Sequence, residues 1–143
     1  MKGKILVGVQ FFLIFLMSLT IGFKVEHLYL GLGFIILGSV IGLVAIKTHE
    51  RGNFNIRPDI KENCTLVTHG IYAYIRHPMY LSVLTAMLGF VFLYPSWFEI
   101  ILYIFLVITL IIKLLYEESL WQCHSKEYEA YKNSTKRLIP FIF

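Results

Sequence analysis

Charge is what this sequence has least of. Only 15% of its 143 residues are Asp, Glu, Lys or Arg, while 57% are hydrophobic, and the mean hydropathy is +0.70. A water-soluble domain of this length cannot hide so much apolar surface. A soluble fold is excluded and an integral membrane protein is indicated. Cysteine is scarce as well. Cys64 and Cys123 fit no metal-ligand spacing, so no metal is expected. Both fall in segments expected to face the cytosol, where thiols stay reduced. Basic residues flank apolar runs instead of forming a stripe, which argues against nucleic acid as a partner.

What is present is long uncharged runs. Residues 5–23 lie between Lys4 and Lys24, and residues 28–46 between His27 and Lys47. At about 1.5 Å rise per residue each run just crosses a hydrocarbon core of roughly 30 Å. Residues 19–23 offer no convincing small-residue cleavage site, so the first run is read as a retained span and not a signal peptide. Gly38 and Gly42 form a Gly-x-x-x-Gly pair that permits close helix approach, within the bundle or in a homodimer. Residues 47–75 are polar and irregular. Pro78 suits the first turn of a helix, and a third span is expected over 79–94. Pro95 and Ser96 make a turn, and a fourth span follows over 97–115. An amphipathic helix and tail occupy 116–143. The chain is short enough to be one domain, 1–143.

The basic residues orient these spans. Lys2 and Lys4 precede the first run, and Lys47, Arg51, Arg57, Lys61 and Arg76 lie between the second and third. Lys113, Lys126, Lys132, Lys136 and Arg137 lie at or beyond the end of the fourth, while the turn at Pro95 has none. Basic loops stay in the cytosol, so a multi-pass topology with both termini and the middle loop cytosolic is expected.

Against this apolar background, residues 66–81 stand out. They carry His69, His77, Arg76, Tyr72, Tyr74 and Tyr80 within one short stretch beside a membrane surface. Polar chemistry there costs free energy unless it serves a purpose. The topology brings this stretch to the same side as Glu117 and Glu118.

The run Leu66-Val67-Thr68-x-Gly70-x-Tyr72-x-Tyr74-x-Arg76-His77-Pro78-x-Tyr80 resembles the hallmark of the isoprenylcysteine carboxyl methyltransferase and phospholipid N-methyltransferase superfamily. So do Glu117-Glu118 one hairpin later, Glu127-Tyr128-Glu129-x-Tyr131, and the tail from Arg137 to Phe141. The likeness covers roughly residues 56–143. It implies an all-α integral membrane enzyme of four transmembrane helices that uses S-adenosylmethionine (SAM). The cofactor pocket would face the cytosol, built from the loop before the third span and the helix after the fourth. Leu66, Val67, Tyr72, His77, Pro78, Tyr80, Glu117 and Glu118 would hold the cofactor. The methyl acceptor would be a lipophilic molecule or prenylated substrate entering from the bilayer lipids. The absence of a Gly-rich turn after a strand agrees with a methyltransferase that is not of the Rossmann type.

The residue types suit that cofactor on their own chemistry. Tyrosine faces attract a sulfonium cation and can stack adenine. Glutamates suit an ammonium or ribose hydroxyls, and Arg76 or His77 suits a carboxylate. Methyl transfer is a direct displacement that needs alignment and exclusion of water, so no protein nucleophile is required. Lys113, four residues before Glu117, shares its helix face. It stands where the resembled family often has a substrate-contacting arginine, and the change loses bidentate geometry. Lys113 and Arg76 are the candidate substrate contacts. Three smaller departures are Ile71, Ser82 and the shortened Glu-Glu-Ser-Leu.

Plainer roles stand beside these. His69 reads as a turn residue, Glu99 as interfacial, Tyr128 and Tyr131 as an interfacial aromatic belt, and Arg76 alternatively as a lipid-phosphate anchor. Other functions weighed are a membrane reductase related to sterol reductases with a nicotinamide cofactor, a non-catalytic membrane protein keeping the scaffold, and a small transporter. The last lacks a mid-membrane ionisable residue in the first three spans.

Overall fold

A computed structural model describes residues 2–19, 25–48 and 65–139. Among these the chain is all helical. The helices are α1 (Lys2–Ser18), α2 (Leu28–Thr48), α3 (Pro78–Leu93), α4 (Trp97–His124) and α5 (Glu127–Ser134), with a 3-10 turn at Gly70–Ala73. Among the described residues the helices are joined by turns and loops, and an isolated parallel bridge pairs Ile75 with Lys136. Cys64, Pro140 and Phe141 lie outside the described residues, as do the last residues of the first expected span and most of the middle loop.

The helix starts follow from local chemistry. Pro78 sits in the first turn of α3, where its missing N–H is no loss. Ser96 caps α4, its hydroxyl accepting the Glu99 N–H at 3.1 Å, which satisfies one orphan donor. Nothing between Trp97 and His124 is Gly or Pro, so α4 does not stop at the end of its apolar stretch. It runs on through Glu117 and Glu118 for 28 residues. The helix expected after the fourth span is therefore the continuation of α4, and only α5 is separate.

Among the described residues two helices, α2 and α4, are long and apolar enough to cross a membrane. α3 has the expected bounds within one residue, but its 16 residues reach only about 24 Å. The outward faces are apolar: Phe12, Phe15, Ile36, Leu43, Ile101 and Ile104 are all exposed. Lipid suits such surfaces better than water does.

α2 packs chiefly on α3, and α1 on α4. Glycines set the first contact. A Cβ on Gly38 would lie 2.6 Å from the Ala86 nitrogen, and one on Gly89 would lie 2.6 Å from the Gly31 carbonyl oxygen. Only bare backbones approach so closely. The Gly38–Gly42 face is thus filled by α3 within the chain and is not a free dimer surface. α1 and α4 close the other side around Leu13, Met17, Leu84, Leu106, Leu110 and Leu114. At one end the Glu26 N–H donates to the Leu93 carbonyl at 3.1 Å. The polar residues gather at the other end, where α2 finishes and α3 begins.

Candidate functional site

The site is built on a turn that only glycine makes cheaply. Gly70 has φ +61°, a left-handed conformation strained for other residues, and the Thr48 side chain fills the space a Cβ would need. The 3-10 turn that follows buries Tyr72 with Ala45 and Val67, against Ile71 and Met79. Residues 74–77 then pass beside the tail, with Ile75 bridged to Lys136. Arg76 N–H donates to the Lys136 carbonyl at 2.7 Å, and His77 N–H to the Arg137 carbonyl at 3.0 Å. Pro78 starts α3, which puts Tyr80 one turn above His77. Their rings stack with centroids 5.3 Å apart and planes 4° from parallel.

α4 brings in the acidic pair, and its two members have different surroundings. Glu118 is buried and enclosed by cations. It accepts from Arg76 Nε at 2.8 Å and Arg137 Nε at 3.1 Å, and lies 3.4 Å from His77 Nε2. Burial alone would raise its carboxyl pKa. The hydrogen bonds from His77, Arg76 and Arg137 and the Arg76 charge outweigh this and hold it at about 2. Arg76 also donates through Nη1 to the carbonyls of Lys132 and Thr135. Arg76 and Glu118 together therefore clasp α3, α4 and the tail.

Glu117 is the more open carboxylate, with 27% of its side chain exposed. Its Oε2 accepts the Tyr80 hydroxyl at 2.6 Å and lies 3.8 Å from His77 Nδ1. One turn earlier, buried Lys113 holds its ammonium 4.9 Å from the Tyr80 ring centroid and donates to Gln10 Oε1 at 2.7 Å. The Tyr72 phenol is raised above its ordinary pKa, first by burial and then by the Glu117 charge. The Tyr131 hydroxyl donates to the Tyr72 carbonyl at 2.7 Å and ties α5 to the turn.

Tyr72, Arg76, His77, Tyr80, Lys113, Glu117 and Glu118 thus converge. Val67 and Pro78 are buried and shape the turn and the α3 start, and Leu66 is half-buried beside them. Arg76 is buried against the tail and is not a lipid anchor. Tyr128 and Tyr131 are buried, at 2% and 8% exposure, so they are not an interfacial belt. Tyr128 stacks on Trp121. Glu99, expected at an interface, has no exposed surface. Two participants escaped the sequence reading. Gln10 is one; its signal was a lone amide in an apolar run, which needs a partner. Thr135 is the other, and its role is made by backbone carbonyl geometry that no spacing reveals.

This arrangement falls largely within a segment with known relatives: residues 26–125 match the phospholipid methyltransferase family. The chain belongs to that family. The family and the apolar helices together mark it as a membrane protein of a methyltransferase family. Two rice proteins, from Oryza sativa subspecies indica and japonica, are each named probable protein-S-isoprenylcysteine O-methyltransferase. Each is 31% identical to it over 117 residues, covering 80% of this chain. The match spans 61% of the length of each rice protein. No solved structure matches the chain. α1, α5 and the tail lie outside the family-matched residues, so Gln10, Thr135 and Arg137 are contributions from beyond that segment.

Proposed function

We propose that this chain is a SAM-dependent methyltransferase acting on a lipophilic membrane substrate, either an isoprenylcysteine-like carboxylate or a lipid amine. The observation that carries this is the pairing of Glu117, an open carboxylate, with the stacked His77–Tyr80 rings at the end of the bundle. The donor set fits the cofactor. A partly exposed carboxylate suits an ammonium or ribose hydroxyls, and ring faces suit a sulfonium or adenine. When bound, SAM supplies a methyl carbon on a sulfonium sulfur, open to direct displacement by the acceptor's lone pair.

The chain's own residues do the holding. Tyr80 fixes Glu117 through its hydroxyl. Glu118 secures His77 and, through Arg76 and Arg137, the tail. The surrounding apolar helices exclude water, which strengthens each polar contact. In this reading α1 to α4 are four spans with both termini cytosolic, supported by the placement of Lys and Arg. The substrate enters from the bilayer toward Lys113.

The test is transfer of a radiolabelled methyl group from SAM, with purified chain in detergent or liposomes. Offered acceptors are total lipid and prenylcysteine analogues. Label should enter an organic-extractable product, and Glu117→Gln should reduce it at least tenfold. Binding of a nicotinamide cofactor, with no label transferred, would favour the reductase reading instead.

A further inference from the structure

Gln10 and Lys113 come from opposite ends of the sequence and meet inside the bundle. Both are buried, at 5% and 1% exposure, in a layer that also holds Leu13, Leu110 and Leu114. Gln10 Oε1 accepts from Lys113 Nζ at 2.7 Å, and the ammonium lies over the Tyr80 ring. Among the described residues no carboxylate comes within 4.0 Å of Lys113. Glu117, one turn away, is turned to the Tyr80 hydroxyl.

A buried ammonium among apolar side chains costs free energy unless an anion meets it. A neutral amide does something a carboxylate would not. It fixes the ammonium in place without cancelling its charge. Building on the methyl-transfer reading, we propose that Gln10 is a positioning residue for acceptor specificity. It holds Lys113 beside Tyr80 with no carboxylate of the described residues in ion-pair contact, so the site takes an acceptor carrying a carboxylate and disfavours one carrying an ammonium. Gln10 lies in α1, outside residues 26–125 that match the family, so this selection would be a property of this chain's first helix.

The test uses the full chain in detergent and three ligands: a prenylcysteine free acid, its methyl ester, and the analogue with an amine in place of the carboxyl. Equilibrium binding is measured for wild type, Gln10→Met and Gln10→Glu. Methionine keeps length but removes the acceptor; glutamate keeps a partner but neutralises the charge. Wild type should prefer the acid to the ester by about tenfold, the scale of one charge-assisted hydrogen bond, and bind the amine weakest. Both variants should bring acid and ester within about twofold, with SAM affinity unchanged. A merely structural Gln10 would change thermal stability and leave the acid preference intact. No acid preference in wild type overturns the proposal, as does a preference kept in either folded variant. Because Gln10→Glu retains a partner for Lys113, it keeps the test decisive if Gln10→Met does not fold. Methyl transfer is assayed on the same samples. An acid preference that depends on Gln10, without turnover, supports this inference and overturns the methyl-transfer reading.

Discussion

Arg76 Nε lies 2.8 Å from Glu118 Oε1, and both side chains are nearly inaccessible to solvent. Forty-two positions separate them in the chain. The pair joins the entry of α3 to the polar end of α4, and Arg76 carries the connection onward to Lys132 and Thr135. Breaking a buried pair by removing one partner leaves the other charge uncompensated. Glu118→Ala should therefore cost roughly 3 kcal/mol, read as a fall in unfolding midpoint in detergent. Arg137→Ala removes a more exposed partner and should cost about 1 kcal/mol or less. Equal, small effects from both would contradict the clasp.

The same carboxylate gives a pH dependence with a defined sign. Glu118 is held at about 2 in the fold, against 4.5 for an unperturbed group. A depressed carboxylate contributes stability that is complete above the unfolded value and is lost as pH falls toward the folded one. Unfolding midpoints should therefore drop between about pH 4.5 and pH 2 in wild type. In Glu118→Gln that portion of the drop should disappear, because the amide does not titrate there. An unchanged acid limb in the variant would show that Glu118 is not held as described.

Helix packing gives a third expectation. Gly38→Ala places a methyl group 2.6 Å from the Ala86 nitrogen, and backbone cannot yield cheaply. A loss of about 1–3 kcal/mol is expected, as for overpacking. Gly33→Ala, with open space around it, should be neutral or slightly stabilising through helix propensity, by up to about 1 kcal/mol. Thermal unfolding of the two variants side by side checks the contrast.

Tyr131→Phe removes the hydroxyl that donates to the Tyr72 carbonyl. The expected loss is about 1 kcal/mol. Hydrogen exchange should also quicken at Tyr74 and Ile75, whose amides depend on the turn.

Much of this was legible in the residues. Pro78 announced the start of α3, and Pro95 and Ser96 the turn into α4, because both act through local backbone chemistry. The convergence of Tyr72, His77 and Tyr80 with Glu117 and Glu118 followed from the charge bias of the loops and from the family resemblance. The division of labour within the acidic pair did not. Neighbours on a helix point about 100° apart, and only the tail's path decides which one the arginines enclose. The extent of α4 was also underestimated, since nothing in an apolar-run argument says that a helix stops where hydrophobicity does. Tyr128 and Tyr131 were misread for a related reason. Amphipathic tyrosines suit an interface, and their burial against Trp121 and Tyr72 is a tertiary fact. Gln10 shows the opposite case: its signal was present, but its partner lay 103 positions away.

The most direct measurement is SAM binding by the purified chain, comparing wild type with Glu117→Gln at matched thermal stability. Wild type should bind, and the variant should bind at least tenfold more weakly, because Glu117 is the open carboxylate and Glu118 the enclosed one. A folded wild-type chain that binds no SAM would contradict the account.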